Sequence, residues 1–194
     1  KAGRLIEKGY ATALVRQYNP ETISLYPLPF LNKMRIKEWD YYGITTQDYF
    51  VSATLSNIGY AGLLFIYYID FKTKDYIEDT LITPFGKGFT LGKTSDDDSI
   101  FKKGDIVFKC SKKNKEREIF INWPGFGKGK GFKAHLILQQ PPGDSIVMMT
   151  PIGANRFYYN QKINCMPSEG AFILNGKEYG FTFNKALATL DWGR

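Results

Sequence analysis

The run AFILNGKEYGFTF, residues Ala171 to Phe183, decides the fold. It contains two stretches rich in aromatic and aliphatic residues on either side of Asn175–Gly176. Asn-Gly pairs readily adopt the positive φ angles that a two-residue turn between antiparallel strands requires. The run therefore predicts a β-hairpin.

The neighbouring run FKAHLILQQ, Phe132 to Gln140, alternates in the same way. Every second residue from Phe132 to Leu138 is apolar, whereas Lys133 and His135 fall between them. Because successive side chains of a strand point to opposite faces, this pattern predicts a sheet with one core face and one polar face.

Comparable runs separated by turn residues occur along most of the chain, and none of it predicts a long amphipathic helix. The predicted strands lie near Tyr42–Thr54, Tyr60–Phe71, Tyr76–Thr83, Asp105–Cys110, Glu116–Trp123, Phe132–Gln140, Ser145–Pro151 and Arg156–Ile163. A succession of strands with little helix between them favours an antiparallel meander. Closing or curling the meander protects its edge strands from pairing with other chains. We expect an all-β fold, a lipocalin-like (calycin-like) antiparallel barrel or strongly curved sheet.

The chain divides into two parts at about residue 40. Residues 1–40 predict an irregular N-terminal segment, because prolines and glycines interrupt it and Leu25–Phe30 should be extended before its prolines. Residues 41–194 predict the β-barrel-like domain. Within it, Thr83–Gly104 is the longest stretch expected to be irregular.

Composition limits the classes of partner. The net charge is +7, with 26 basic and 19 acidic residues, but most basic residues are lysines scattered among turns. Specific nucleic-acid binding usually relies on arginine or a recognisable motif, so a solvated lysine surface is the favoured interpretation. The longest apolar run, Ala61–Ile69, is too short for a membrane helix. The sequence gives no compartment.

The sequence predicts no metal site and no cofactor. It has one histidine, His135, and two distant cysteines, Cys110 and Cys165, which we expect to be reduced thiols. The glycine-rich run PGFGKGKGF, residues 124–132, lacks P-loop spacing and precedes a strand, so it predicts a hairpin loop.

The first dense cluster of chemistry is RIKEWDYYGI, Arg35 to Ile44. Glu38 and Asp40 lie among Trp39 and Tyr41, close to basic residues. These charges could form a buried, mutually satisfied network, which is the favoured interpretation. Alternatively, either carboxyl could have a raised pKa and act as a general acid.

The second dense cluster is YYNQKINCMPSEG, Tyr158 to Gly170. Tyr, Asn and Gln side chains suit either the orientation of a ligand or the satisfaction of backbone groups at a bend. We expect the strand to end or turn at Met166–Pro167. The candidate ligand-binding residues of the two clusters are Trp39, Tyr41, Tyr158, Asn160, Gln161 and Asn164.

These stretches carry a resemblance. RIKEWDYY, LSNIGYAGLLFIYYIDF, MMTPI, FYYNQKINCMPSEG and LDWGR occur in an order that resembles the domain of unknown function 2804 family. That family is similar in architecture to calycin-like double-barrel proteins such as hydroxyneurosporene synthase and tocopherol cyclase. The resemblance implies a barrel around an apolar small molecule, and a second half that is absent from this chain.

Three functions remain open, and no motif establishes an enzyme. The favoured one is a lipocalin-like domain that binds an apolar small molecule or lipid. A structural subunit of a larger assembly, with protein partners or a second half, is the first alternative. The second is a hydratase or cyclase acting on an isoprenoid-like substrate, with Glu38 or Asp40 as general acid.

Overall fold

A computed structural model describes residues 5, 7–14, 19, 22, 24–153 and 156–194 of the chain. Within these residues the chain forms fourteen strands and two short helices. The strands are β1 (Gly9–Ala11), β2 (Glu38–Thr46), β3 (Tyr49–Asn57), β4 (Ala61–Asp70), β5 (Tyr76–Pro84), β6 (Phe89–Thr90), β7 (Ser99–Lys103), β8 (Ile106–Lys113), β9 (Glu116–Trp123), β10 (Phe132–Gln139), β11 (Ile146–Pro151), β12 (Phe157–Leu174), β13 (Lys177–Phe181) and β14 (Ala186–Gly193). The helices are α1 (Pro29–Arg35) and α2 (Phe126–Gly129).

All fourteen strands belong to one antiparallel sheet. Its main path runs β5-β4-β3-β2-β14-β12-β10-β9-β8-β7-β6, with β11 and β13 pairing beside β12, and β1 beside β11. Strand β12 is 18 residues long and serves both halves of the sheet. Its first part pairs with β14 and its last part with β10. The expectation of an all-β, antiparallel, strongly curved sheet with little helix is confirmed, and the sheet forms a curled half-barrel.

A bulge in β12 marks the boundary between the two halves. The register with β14 shifts between Ile163 and Met166, and Cys165 has a φ of 57°. The expected end of the strand at Met166–Pro167 is wrong, because Pro167 pairs with Leu187 and the strand continues. Proline lacks a backbone donor and is tolerated in a strand beside a bulge, where ladder bonding is already interrupted.

The two halves of the sheet pack against each other across a filled core. Tyr49 meets Phe172 edge to face, with ring centroids 5.4 Å apart. The Tyr42 and Phe108 rings also face each other across the halves, at 6.5 Å. Leu55 and other large side chains of both halves are fully buried. Side chains therefore occupy the space between the halves.

The edge strand β5 is held against the opposite half of the sheet. Asp79 Oδ2 accepts a hydrogen bond of 2.8 Å from the Gly127 amide in the loop between β9 and β10. Gly127 and Lys128 both have φ near 60°. The glycine-rich run thus forms the predicted hairpin loop and also contacts the edge strand.

Several predicted boundaries are correct. The Glu116–Trp123 strand matches β9 at both ends. The Asn175–Gly176 turn joins β12 to β13, and its two residues have φ of 53° and 74°.

Other boundaries are wrong. The single strand expected over Tyr42–Thr54 is two strands, β2 and β3, joined at residues 47–48. Thr46 makes this turn, because its Oγ1 accepts hydrogen bonds from the amides of Asp48 (3.2 Å) and Tyr49 (3.0 Å). The stretch expected to be irregular up to Gly104 contains β6 and β7.

The segment Leu25–Phe30 is not extended throughout as expected. Leu25 to Leu28 form bends, and Phe30 lies in α1. The buried Asn32 side chain causes the bends: its Oδ1 accepts from the amides of Leu25 and Tyr26, each at 2.8 Å. Two side-chain bonds to consecutive amides replace the bonds that an extended strand would have needed.

Candidate functional site

The rim of the half-barrel brings the two dense sequence clusters together. Strand β14 lies between β2 and the start of β12, and pairs Gly193 with Trp39 on one side and Asn160 on the other. The Trp39 and Tyr158 rings stack across this strand, with centroids 5.4 Å apart and 17° between their planes. A Cβ atom at Gly193 would lie 2.2 Å from the Trp39 ring. Glycine at this position therefore makes the stack possible.

Asp191 organises the surface beside the stack. Its Oδ1 accepts hydrogen bonds from Asn160 Nδ2 at 2.6 Å and from Trp39 Nε1 at 3.4 Å, and its Oδ2 pairs with the Lys162 ammonium. Burial, reinforced by the charge of Asp191, raises the pKa of Tyr158 to about 12. Tyr158 thus keeps its hydroxyl proton at neutral pH and remains a hydrogen-bond donor.

The side-chain amide of Asn160 bonds to both a carboxylate and the backbone of the neighbouring strand. Its Nδ2 also donates to the Trp192 carbonyl at 2.7 Å, and the residue is 2% exposed. An amide committed to Asp191 and to a backbone carbonyl holds the strands together. The Nδ2 group of Asn160 is therefore committed, and the residue holds the wall of the site in place.

The opposite face of the same strands holds a buried arginine. Arg194 Nη1 lies 2.9 Å from Asp40 Oδ1, and its guanidinium donates to the carbonyls of Trp39 (2.9 Å) and Gly92 (2.8 Å). Ser99 Oγ donates to the other Asp40 oxygen. Asp40 is 3% exposed, so its charge is balanced by Arg194 within a buried ion pair. The charged cluster was expected to form a mutually satisfied network, but the counter-charge of Asp40 is Arg194, which lies outside that cluster.

Glu38 lies at the edge of this network. Its Oε1 is 4.0 Å from Arg194 Nε, and its Oε2 accepts from Asn57 Nδ2 at 3.4 Å. Burial raises the pKa of Glu38; the Arg194 guanidinium opposes the change and the Asp40 carboxylate adds to it. A carboxyl with a raised pKa holds a proton to higher pH than usual.

A pocket of about 300 Å³ opens at this rim, and we call it the rim pocket. Its apolar and aromatic lining comes from β2, the start of β12, the segments on either side of α1 and the residue after β11, namely Leu25, Ile36, Trp39, Ile152, Phe157 and Tyr158. Its basic lining consists of Arg35, Lys37, Arg156 and Arg194. None of the described residues that line it is acidic.

The four cations of the rim pocket differ in the partners that their charged groups already have. Arg194 is committed to Asp40 and to backbone carbonyls. The Lys37 ammonium donates to the carbonyls of Met34 (3.0 Å) and Ile58, so mainly its stem faces the pocket. Arg35 and Arg156 are exposed, and no described carboxylate forms an ion pair with either of them.

The predicted ligand residues fall into four groups. Trp39 and Tyr158 line the rim pocket. Tyr41 and Asn160 lie beside it, and neither is among its lining residues. Gln161 points to the core face, where it accepts from Ser95 Oγ and donates to Ser145 Oγ at 2.8 Å.

Asn164 is the remaining predicted ligand residue, and it lies apart from the others. It is exposed at the bulge of β12. The alternation of a regular strand would have placed it with Tyr158, but the extra residue in the bulge breaks that alternation.

Sequence reasoning missed several lining residues. Arg194 ends the LDWGR motif and Arg156 precedes the FYYNQ strand, so both were next to recognised stretches. Leu25 and Ile152 carried no local signal, because only the packing of distant segments brings them to the rim.

No helix in the part of the chain that the structure describes is long and apolar enough to cross a membrane. No curated protein sequence matches the chain.

Two solved structures resemble it in fold. Kievitone hydratase from Nectria haematococca aligns with a TM-score of 0.49 and 11% identity, over 84% of this chain and 48% of that one. A protein described as an AttH from Nitrosomonas europaea aligns with a TM-score of 0.42 and 16% identity, over 81% and 50%. The chain thus spans about half the length of either structure. Both TM-scores are below 0.5, so neither name indicates an activity for this chain.

The family comparison agrees with the sequence motifs that the rim unites. The family model described as a domain of unknown function, DUF2804, matches residues 1–194. The chain belongs to the domain of unknown function 2804 family.

Proposed function

We propose that the chain binds an apolar small molecule or lipid in the rim pocket. The observation that carries the proposal is the lining: six apolar or aromatic side chains surround about 300 Å³, which lies at the lower end of the range for small-molecule sites. Transfer of hydrocarbon from water to such a surface is favourable by about 25 cal/mol per Å².

The aromatic wall of the pocket is already in place before any ligand enters. Trp39 is fixed by its stack on Tyr158, by its bond to Asp191 and by the glycine beneath it. A side chain that is already ordered loses little rotamer freedom when a ligand binds, so less of the interaction energy is lost. This preorganisation supports a binding role.

An acid-catalysed hydratase or cyclase has one observation in its favour, the raised pKa of Glu38. Glu38 is not among the residues that line the rim pocket, and Asp40 is committed to Arg194 and Ser99. Neither carboxyl lines the rim pocket, which favours the binding role over this enzyme. Turnover of an isoprenoid-like substrate that is lost in Glu38→Gln or Asp40→Asn, with the fold intact, would support the enzyme instead.

A structural-subunit role also has one observation in its favour. The β5 region exposes large apolar side chains, with Tyr76 64%, Ile82 59% and Phe85 75% exposed. Burial of such side chains against another protein would be favourable. An isolated chain that stays monomeric and cooperatively folded would count against this role.

Titration with Nile red, an uncharged apolar dye, tests the binding proposal. Ile152→Asp places a charge at the pocket mouth, at a residue that is 52% exposed and not needed by the core. We expect it to weaken dye binding about tenfold, because the loss of one apolar contact is worth roughly 1.5 kcal/mol.

Ile146→Asp is the matched control. Ile146 is 54% exposed at the opposite end of β11, and it is not among the residues that line the pocket. We expect its dye affinity to equal that of the unaltered chain. If both variants bind the dye equally well, the dye does not bind in the rim pocket.

A further inference from the structure

The two exposed cations among the four that line the rim pocket have no described counter-charge. Arg35 and Arg156 both line it, both are exposed, and no described carboxylate pairs with either guanidinium. Lys162, by contrast, is paired with the Asp191 carboxylate. At this mouth that partner is missing among the described residues.

A third positive charge strengthens the local field. Lys37 lies between Arg35 and Trp39 in sequence, and its ammonium contacts neutral groups, namely two backbone carbonyls and the Tyr60 ring. Its pKa is lowered, first by burial and then by the charge of Arg35. The two cations thus repel each other, and an anion at the mouth would relieve that repulsion.

The positions of these charges match the two ends of an amphiphile. The apolar wall of Trp39 and Phe157 lies within the pocket, whereas the free guanidiniums are exposed at its mouth. Guanidinium groups bind carboxylates and phosphates through paired, charge-assisted hydrogen bonds. A hydrocarbon tail would occupy the apolar lining while an anionic head stays at the wet rim.

We propose that the ligand of the rim pocket is an amphiphile with one anionic head group, a carboxylate or a phosphate monoester, held by Arg35 and Arg156. This inference rests on the proposed function, because it names the chemical class of the molecule that the same pocket binds. It excludes neutral lipids as the preferred ligands. Arg35 and Arg156 have a recognition role and no catalytic one.

Three probes with the same tail separate the head-group effect from the binding of hydrocarbon. Dodecanoate, dodecyl phosphate and dodecanol are each titrated against the full chain carrying Nile red, below the concentrations at which they aggregate. At least one of the two anions should displace the dye at a concentration about tenfold lower than dodecanol, the effect of one or two charge-assisted bonds. The tighter anion identifies the head group.

Charge removal completes the test. Arg35→Gln and Arg156→Gln should each reduce the affinity for the preferred anion several-fold, and together abolish its advantage, with dodecanol affinity unchanged. Lys133→Gln is the control, because Lys133 is an exposed cation on β10 and lines a different groove. Added salt should weaken binding of the anion and leave that of dodecanol unaltered.

Two results would overturn the inference. Equal affinities for all three probes, or an anion preference that survives the double variant, would show that these arginines do not read the head group, while the binding proposal would stand. Failure of Nile red and of all three probes to bind would overturn the proposed function together with the inference.

Discussion

Trp39 and Tyr158 lie face to face at the rim of the half-barrel, with ring centroids 5.4 Å apart. They come from opposite ends of the domain, and β14 lies between their strands in the sheet order. The contact exists because β14 presents Gly193 beneath the Trp39 ring. One glycine thus controls whether the two sequence clusters form one wall.

Gly193→Ala should disrupt this wall. Its Cβ would lie 2.2 Å from the Trp39 ring, closer than any real contact, so the indole must move. We expect a loss of about 1 to 3 kcal/mol in the free energy of unfolding, as for other overpacked sites. Urea unfolding measures the loss, and weaker Nile red binding should accompany it.

Gly180→Ala is the control for Gly193→Ala. A Cβ at Gly180 meets nothing nearer than the Gly170 carbonyl, at 4.0 Å. Its free energy of unfolding should stay within about 0.5 kcal/mol of the unaltered value. If both variants behave alike, the Gly193 contact does not hold the wall.

Asp40→Asn should be strongly destabilising. It leaves the Arg194 guanidinium without its carboxylate in a site where Asp40 is 3% exposed. Removal of one partner of a buried pair costs about 3 kcal/mol or more. Urea unfolding of Asp40→Asn is compared with that of Asp105→Asn, an exposed carboxylate in a turn. A difference below about 0.5 kcal/mol between the two variants would contradict the buried network.

Glu38→Gln should change how stability depends on pH. Burial raises the pKa of Glu38 above its ordinary 4.5, so the folded chain binds this proton more tightly than the unfolded chain. The resulting stability is fully present below the ordinary value and is lost as the pH rises through the raised one. The Tm of Glu38→Gln, relative to that of the unaltered chain, should therefore increase between about pH 4 and pH 7.

Glu78→Gln provides the comparison for the pH series, because Glu78 is exposed on β5. Its Tm difference from the unaltered chain should stay flat over the same range. A flat difference for Glu38→Gln as well would show that the Glu38 carboxyl is not held in a desolvated site.

The two cysteines should react very differently. Cys110 is buried against the Tyr42 hydroxyl, and burial raises the pKa of its thiol to about 12, whereas Cys165 is exposed. Because the thiolate is the reactive form, a thiol-disulfide reagent should modify one cysteine in the folded chain and two in urea. Cys165→Ser should abolish the reaction of the folded chain. Modification of two thiols without denaturant would contradict the burial of Cys110.

Local patterns predicted the regular parts of the sheet. The alternation in Glu116–Trp123 and the Asn175–Gly176 pair are decided by residues next to each other, so one sequence suffices. The turn after Thr46 was missed because a threonine hydroxyl makes it, without the glycine or proline that usually signals a turn. The prediction that the strand ends at Pro167 was wrong because the bulge that accommodates this proline depends on the pairing with β14.

The site was predictable only in part, for a related reason. Trp39 and Tyr158 stood out through dense local chemistry, and both line the rim pocket. Asn160 looked like a ligand contact, but only the position of Asp191 shows that its amide is committed. Arg156 carried no signal by itself, since its role depends on charges that distant segments bring to the same mouth.

Native mass spectrometry of the chain, purified gently from its own source, is the most direct test of whether the rim pocket binds a small molecule. We expect the unaltered chain to carry an added mass of a few hundred daltons that organic solvent removes. The Ile152→Asp variant should lack this added mass. A chain that carries only the mass of whole protein subunits, with no small molecule, would contradict the binding role and favour a subunit of an assembly.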